Sequence, residues 1–336
     1  MSVENGLTEL DRYLDKPIWT ASEFIFSDGI VNKVIGIAMG VFGMPFAIAS
    51  RAIRWATHRY YQNEFLFYES QASKIEGTPK KFMTFNVCMM PGILATLFGS
   101  MSPAGQRLDR LAEFIKLQNA DVVCLQEMTN DPAAQLIEKI KDTYKYFYYR
   151  IGPTSLVMEN AMFWASKYPL ENKPAYVPFT AGGIRFRRGF FVAELNDRFV
   201  ISTHLEPGEE NGEVRAMQIE QILKYKETLT KPVMLIGDLN VEPQDTRAIE
   251  LLAKHFPNFK RADVERPTAE NATCLDNISK VVGGKADPVF TVIDHILMTD
   301  QKIQQTVFPA FVMGKLSNAL SDHQAVVLDM NLVAKL

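Results

Sequence analysis

Hydrophobic positions along the chain fall into two regimes. Residues 34–50, VIGIAMGVFGMPFAIAS, hold no charge between Lys33 and Arg51, whereas from Lys81 onward the apolar runs are short and punctuated by polar segments. In the second regime, runs rich in Val, Ile, Phe and Tyr predict strands at 81–88, 121–126, 144–150, 161–166, 189–195, 198–203, 232–237, 291–298 and 325–331. Helical spacing of apolar residues predicts helices at 105–118, 132–141, 213–227 and 244–256. The strands at 189–195 and 198–203 follow one another without a helix, which excludes a purely alternating parallel sheet. A mixed two-sheet core with helices outside fits this order, and the GTPK turn at 77–80 marks the expected boundary between a region 1–80 and a domain 81–336.

The first regime reads differently. A helix over residues 34–50 spans about 25 Å, short of the roughly 30 Å hydrocarbon core of a bilayer, and Pro45 interrupts it. Arg51, Arg54, His58 and Arg59 follow, interleaved with Trp55, Tyr60 and Tyr61, a mixture that membrane interfaces favour. A re-entrant or interfacial helix is therefore expected, with a buried core helix as the alternative. Glu4, Glu9, Asp11 and Asp15 open the chain, the reverse of the basic start of a secretory signal, so no cleavable leader is expected.

Composition narrows the function. With 47% hydrophobic and 22% charged residues among 336, the chain has the balance of a globular protein. Its 36 Lys and Arg against 39 Asp and Glu give a net charge of -3, so the long-range positive field that captures polyanions is missing and nucleic acid is not expected as the main substrate. Cys88, Cys124 and Cys274 are unclustered, which predicts reduced thiols and a reducing, cytoplasmic side of the membrane.

One oddity recurs at the strand ends. LIGDLN runs into Asp238 and Asn240, FNV places Asn86 inside a strand, VVCLQE ends in Glu127, VISTHL ends near His204, TVIDHIL embeds Asp294, and SDHQAVVL opens with Asp322 and His323. Singly, each has a quieter reading as a turn, a cap or a packed side chain. Jointly they do not, because such groups are costly to bury unpaired and three of the five histidines lie in these motifs. Convergence at one edge of a sheet is the economical inference.

The residue types then suggest roles. Mg²⁺ takes oxygen ligands and is commonly held by one or two carboxylates beside substrate phosphate, which makes Glu127 the first ligand candidate, followed by Asp322 and Asn86. Asp238 and Asn240, two apart on an extended chain, are expected to point to one side and to divide water orientation and phosphate binding between them. His323 needs an orienting partner, for which Asp294 serves by the logic of a triad, and His204 is a second donor to phosphate.

In order, FNV, CLQE, ASKYPL, THL, GDLN, IDHIL and SDH resemble the endonuclease/exonuclease/phosphatase superfamily with its deoxyribonuclease I-like fold, over residues 81–336. NVCMMPG, ADVVCLQEM, FWASKYPL and STHL resemble membrane-associated neutral sphingomyelinases in particular, and GVFGMPFAIASRAIRW is similar to a hydrophobic segment of that type. The resemblance implies an α/β fold, a four-layer α/β/β/α sandwich behind an N-terminal hydrophobic helical segment. It also implies a Mg²⁺-dependent phosphodiesterase, with Mn²⁺ able to substitute, that cleaves sphingomyelin to ceramide and phosphocholine by metal-assisted attack of water on phosphorus. It assigns Glu127 and Asn86 to the metal, Asp238 and Asn240 to phosphate and water, and His323 to the general base. Asp294 supports that base, His204 is a second catalytic histidine, and Arg188 and Asn160 fall at substrate-binding positions. The partner implied is a phospholipid membrane, with anionic lipids suited to the basic segment. A nuclease or an inositol-phospholipid phosphatase on the same scaffold is the alternative, since fold alone does not fix substrate.

Overall fold

A computed structural model of the protein describes scattered positions within residues 10–24 and then residues 30–61, 64–89, 102–152, 161–182, 188–259, 268–271, 289–300, 306–308 and 320–333. The apolar N-terminal run forms helix α1, Ile30–Tyr61, which continues unbroken through Pro45. Its 32 residues extend about 48 Å. The apolar stretch Ile30–Ser50, 21 residues, is long enough at about 31 Å to cross a hydrocarbon core. The expected helix was too short because it was begun after Lys33, and one lysine near an end does not stop a helix. Ile30, Val34, Ile37, Val41, Phe42 and Ile48 along it are exposed.

The rest of the chain folds as a sandwich. Seven strands make the first sheet among the described residues: β1 (Leu66–Glu69), β2 (Lys81–Met89), β3 (Val122–Met128), β4 (Tyr146–Ile151), β5 (Met162–Ser166), β13 (Thr306–Phe308) and β14 (Ala325–Asp329), in the order β1-β4-β5-β3-β2-β14-β13. Five make the second: β6 (Ala175–Pro178), β7 (Gly189–Glu194), β8 (Phe199–His204), β9 (Val233–Asp238) and β12 (Asp294–Met298), in the order β12-β9-β8-β7-β6. A separate ribbon pairs β10 (Ala269–Asn271) with β11 (Val289–Thr291). Helices α2 (Ala104–Gln118) and α3 (Asn130–Ile140) cover the first sheet, and α4 (Gly212–Lys226) and α5 (Thr246–His255) the second; α6 (Met330–Val333) closes the described chain.

Three apolar layers hold these parts together. Phe82, Cys124, Trp164, Phe191, Met234 and Ile296 are among the residues that fill the space between the two sheets. Outside the first sheet, Phe85, Val123 and Phe163 meet Leu108, Leu111, Ile115 and Leu136 of α2 and α3. Outside the second, Ile201 and Leu235 meet Ile219, Ile222 and Leu252 of α4 and α5. The strands are buried on both faces, which is why they read as near-continuous apolar runs rather than as alternating ones. The four-layer arrangement is the one expected.

Differences lie mostly at edges. β1 precedes the expected boundary at residue 80 and pairs with β4, so the sheet begins at Leu66. The expected strand 291–298 is two, because the chain leaves the β10 ribbon at Thr291 and joins β9 only from Asp294. The expected strand 325–331 ends at Asp329, where α6 begins. Cys88 and Cys124 are buried free thiols, and Cys274 lies outside the described residues.

His295, opposite Gly237 in the β12–β9 pair, is buried with its ring centroid 5.4 Å from that of Phe259. Burial pulls its pKa down to about 4, against the opposing pull of Asp294 and the Val292 carbonyl. A histidine depressed in the folded state leaves stability intact above the unfolded pKa, near 6.5, and withdraws it as the pH falls from there to about 4. The expected loss is about 3 kcal/mol over that window. His295→Gln should lose correspondingly less between pH 7 and pH 4 in denaturant titrations; equal losses in both proteins would refute this assignment.

Candidate active site

Two β-α-β units build the site. In the first sheet β2 runs parallel to β3 with α2 as the crossover, and in the second β8 runs parallel to β9 with α4 as the crossover. Asn86 and Glu127 lie toward the C-terminal ends of β2 and β3, and His204 and Asp238 at the ends of β8 and β9. Two antiparallel strands complete the edge from their starts: Asp294 opens β12 directly opposite Asp238, and Asp322 and His323 immediately precede β14, which pairs with β2. The strand ends converge because parallel strands contribute their last residues and antiparallel strands their first.

Asn86 joins the two sheets. Its Nδ2 donates to Asp238 Oδ2 at 3.0 Å and to Glu127 Oε1 at 3.2 Å, while its Oδ1 accepts the Cys88 amide at 3.2 Å. That last bond fixes the amide's orientation, so Asn86 turns its donor end to the carboxylates. His323 Nδ1 lies 2.8 Å from Asp294 Oδ2, and its Nε2 lies 3.9 Å from Asp238 Oδ2. His204 Nε2 lies 3.4 Å from the same Asp238 oxygen and 4.0 Å from Glu127 Oε1. Asp238 Oδ2 is thus the hub on which an amide and two imidazoles converge.

Burial sets the charges. The Asp238 carboxyl is pushed up to about 7 by burial and by Asp294 beside it. Glu127 is raised by burial and by Asp322, against His323, Asn86 and Arg188. Burial pulls His323 down, but Asp294, Asp238 and Asp322 outweigh it and hold the imidazole well above its ordinary value. His204 is held well below its ordinary value by burial, Arg188 and His323, and is therefore neutral.

A divalent cation fits this donor set. Asp238, Asp294 and His323 bring ligand atoms within 4.8 Å of one another; His323 Nδ1 meets one Asp294 oxygen at 2.8 Å, and the other, Oδ1, is buried without a hydrogen-bond partner among the described residues. Glu127 and Asp322 lie on the other side of His323, and the Glu127 side chain is 25% exposed where Asp238 is 1%. An acid whose proton affinity is raised by a second carboxylate at an accessible edge suits a hard cation.

The extended geometry expected for Asp238 and Asn240 is corrected. Asn240 has φ 49°, in the left-handed region, and its amide N–H donates to Asp238 Oδ1 at 3.0 Å. Its Nδ2 donates to the Leu205 carbonyl at 3.1 Å. The turn, not a strand, brings the pair together, and Asp238 caps that turn with one oxygen while presenting the other to the site. Arg188 is buried and donates to the carbonyls of His204 and Leu205 at 3.1 and 2.8 Å, so it braces the chain that carries His204. Asn160 lies outside the described residues.

Supporting residues escaped the sequence reading. Ser321 Oγ donates to the Asn86 carbonyl at 2.6 Å and accepts the His323 amide at 3.2 Å, tying the SDH segment to β2. Thr268 Oγ1 accepts the amides of Ile293 at 2.9 Å and Asp294 at 3.1 Å. Nothing in the sequence marks either, since their partners are remote in the chain. Gly237 did carry a signal, as a glycine inside a strand: at φ 145° its missing side chain admits the Thr203 carbonyl, which a Cβ would meet at 1.9 Å.

An α/β sandwich with acids, an amide and two histidines at one edge defines a class of phosphate-ester hydrolase scaffold. The chain belongs to the Endonuclease/Exonuclease/phosphatase family, whose model matches residues 83–323. Among solved structures it is similar to SmcL, with a TM-score of 0.56 at 19% identity over 74% of this chain and 98% of that one. A Staphylococcus aureus beta toxin variant with bound magnesium ions gives 0.53 at 20% over 75% and 99%. D. rerio TDP2 complexed with a single-strand DNA product gives 0.56 at 14% over 75% and 98%. No curated protein matches the chain.

Thr268→Val removes the acceptor of two buried amides and should cost about 1–3 kcal/mol in denaturant unfolding, while Thr268→Ser should stay near wild type. Equal stability of the valine variant would show that these bonds are not needed to hold Asp294.

Proposed function

We propose that the protein is a Mg²⁺-dependent phosphodiesterase that hydrolyses a phospholipid headgroup ester, with sphingomyelin, giving ceramide and phosphocholine, as the substrate favoured by its motifs. The observation that carries the chemistry is the convergence of Asn86, His204 and His323 on Asp238 Oδ2 at 3.0, 3.4 and 3.9 Å. Glu127 and Asp322 would hold the cation, with Mn²⁺ able to substitute, beside Asn86, whose Nδ2 donates to Glu127 and orients it. When bound, the cation withdraws charge from a phosphoryl oxygen as a Lewis acid.

The chain's own residues handle the proton. Asp238, near neutrality, and His323, held up by Asp294, Asp238 and Asp322, titrate as a coupled pair, so the pair and not either residue is the base. A water held by Asp238 and Asn240 gives its proton to this pair as its oxygen bonds to phosphorus; the bond to the ester oxygen breaks on the opposite side, and that oxygen takes a proton from solvent to leave as the alcohol. Asp294 orients His323 through Nδ1. Neutral His204 donates to a phosphoryl oxygen without adding charge to the site.

The lipid reading rests on α1, whose apolar residues are exposed and whose last turns are basic and aromatic. We place the protein at a membrane, on its reducing side, with anionic lipids meeting the basic segment. A nuclease reading is favoured by the likeness to TDP2 with its DNA product, but a net charge of -3 gives no field for a polyanion.

With sphingomyelin vesicles, a phosphoinositide panel and plasmid DNA as parallel substrates, chelator-sensitive release of phosphocholine alone is expected; DNA nicking at comparable enzyme concentration would overturn the assignment. Glu127→Gln and His323→Ala should each lower turnover by about 10²–10⁴ with folding retained. Asp294→Asn removes the carboxylate that raises His323, so the rising limb of the pH–rate profile should move to lower pH as the rate falls. A limb left in place would separate Asp294 from the base.

A further inference from the structure

We infer that the catalytic edge faces the bilayer to which α1 belongs, so that the enzyme draws its lipid from its own membrane and not from an apposed one. The inference rests on the membrane and lipid readings above and adds a direction to them. Its basis is where the helix joins the sandwich.

β1 runs antiparallel to β4, with Leu66 opposite Tyr149 and Glu69 opposite Tyr146. β4 in turn is antiparallel to β5, with Ile151 opposite Met162, and the Met128 amide bonds to the Ala161 carbonyl at 2.8 Å, one residue beyond Glu127. Leu66, Ile151, Met162 and Glu127 therefore stand at the same edge of the sheet, and Glu69 points toward the opposite one. Three strand spacings separate β1 from β3, about 14 Å sideways along that edge.

The approach to Leu66 is docked rather than free. The Glu64 carbonyl accepts the Gly152 amide at 2.8 Å, and its Oε2 accepts the Tyr176 amide of the second sheet at 3.3 Å. Phe65 packs edge-on against Tyr148 and Phe191, ring centroids 5.5 and 5.7 Å apart, between the sheets. Only Gln62 and Asn63 lie between the end of α1 at Tyr61 and this anchored pair. Two extended residues reach about 7 Å.

Magnitudes then decide the direction. Beyond the apolar stretch ending at Ser50, α1 continues for residues 51–61, about 16 Å, so the anchored edge lies within about 23 Å of the hydrocarbon boundary even if the helix stands upright. An attachment through the other end of the sheet would add the length of β2, Lys81–Met89, about 30 Å. The half-exposed ring of Phe67, the second residue of β1, lies beside the join on the same side.

The test uses the full chain reconstituted in phosphatidylcholine vesicles with Mg²⁺. Headgroup-labelled sphingomyelin is placed either in the protein's own vesicles or in separate protein-free vesicles, and bis(4-nitrophenyl) phosphate in solution serves as a membrane-independent substrate. The expected result is release at least about tenfold faster from the protein's own vesicles than from the separate ones. A twenty-residue Gly/Ser insertion between Asn63 and Glu64, about 25 Å of flexible reach, should pull that ratio toward one while leaving cleavage of the soluble diester unchanged. Equal release from both vesicle sets by the wild type, or an unchanged ratio in the insertion variant, overturns the inference. Cleavage of the soluble diester with no release from either set would instead overturn the lipid reading, and failure of the protein to float with its vesicles would overturn the membrane reading.

Discussion

The catalytic edge exists only because one apolar layer clamps two sheets at a fixed separation. Asn86 belongs to the first sheet and Asp238 to the second, and a 3.0 Å hydrogen bond between them leaves no room for the sheets to slide. Trp164, Phe191, Met234 and Ile296 in the intervening layer are buried to 0%, and such interiors are packed as densely as organic crystals. The precision of the polar contacts is thus borrowed from the apolar ones beneath them. Backbone strain is concentrated where that precision is needed, with Cys88, Glu127 and Asn240 all at positive φ beside the strands that deliver the site.

The same burial creates the chemistry. Asp238 and Asp294 are gathered where water is scarce, with His323 set between them and the more accessible Glu127 nearby. Desolvation, and then repulsion from Asp294, push the Asp238 carboxyl up to about 7. His204, held well below its ordinary value, and His323, held well above, thus face the same carboxylate with opposite proton affinities.

Much of this was legible in the chain, for a physical reason: strands buried on both faces are long apolar runs, so a polar residue at their ends stands out. Asn86, Glu127, His204, Asp238, Asp294 and His323 were all found that way, and all six lie at one edge. The short edge strands β1, β6 and β13 were missed, having three or four residues and, in β6, an alternating pattern ending in Pro178. Asn240 was found for a wrong reason, since local turn geometry is set by a side-chain bond that apolar patterning does not report. Thr268 and Ser321 were invisible because each acts on backbone amides or carbonyls supplied by distant segments.

The two β-α-β units solve one problem twice. A parallel strand that ends in a catalytic residue must release its chain into a loop whose carbonyls have lost their ladder partners. In the first unit Arg107, the fourth residue of α2, is fully buried and donates to the carbonyls of Val87 and Cys88 at 2.9 and 2.6 Å, just beyond Asn86. In the second, Arg215, the fourth residue of α4, is equally buried and donates to the carbonyls of Glu206 and Gly208 at 2.9 and 2.6 Å, just beyond His204. Asp245 at the start of α5 pairs with Arg215 through both carboxylate oxygens, at 2.7 and 3.0 Å. Arg107 also donates to the carbonyls of Ser102 and of Leu320 just before Ser321, which ties the SDH segment to the same guanidinium. A planar group with several fixed donors suits this task where lysine does not. The crossover helix in each unit therefore does more than return the chain: its first turn carries the cation that holds the catalytic strand end in place.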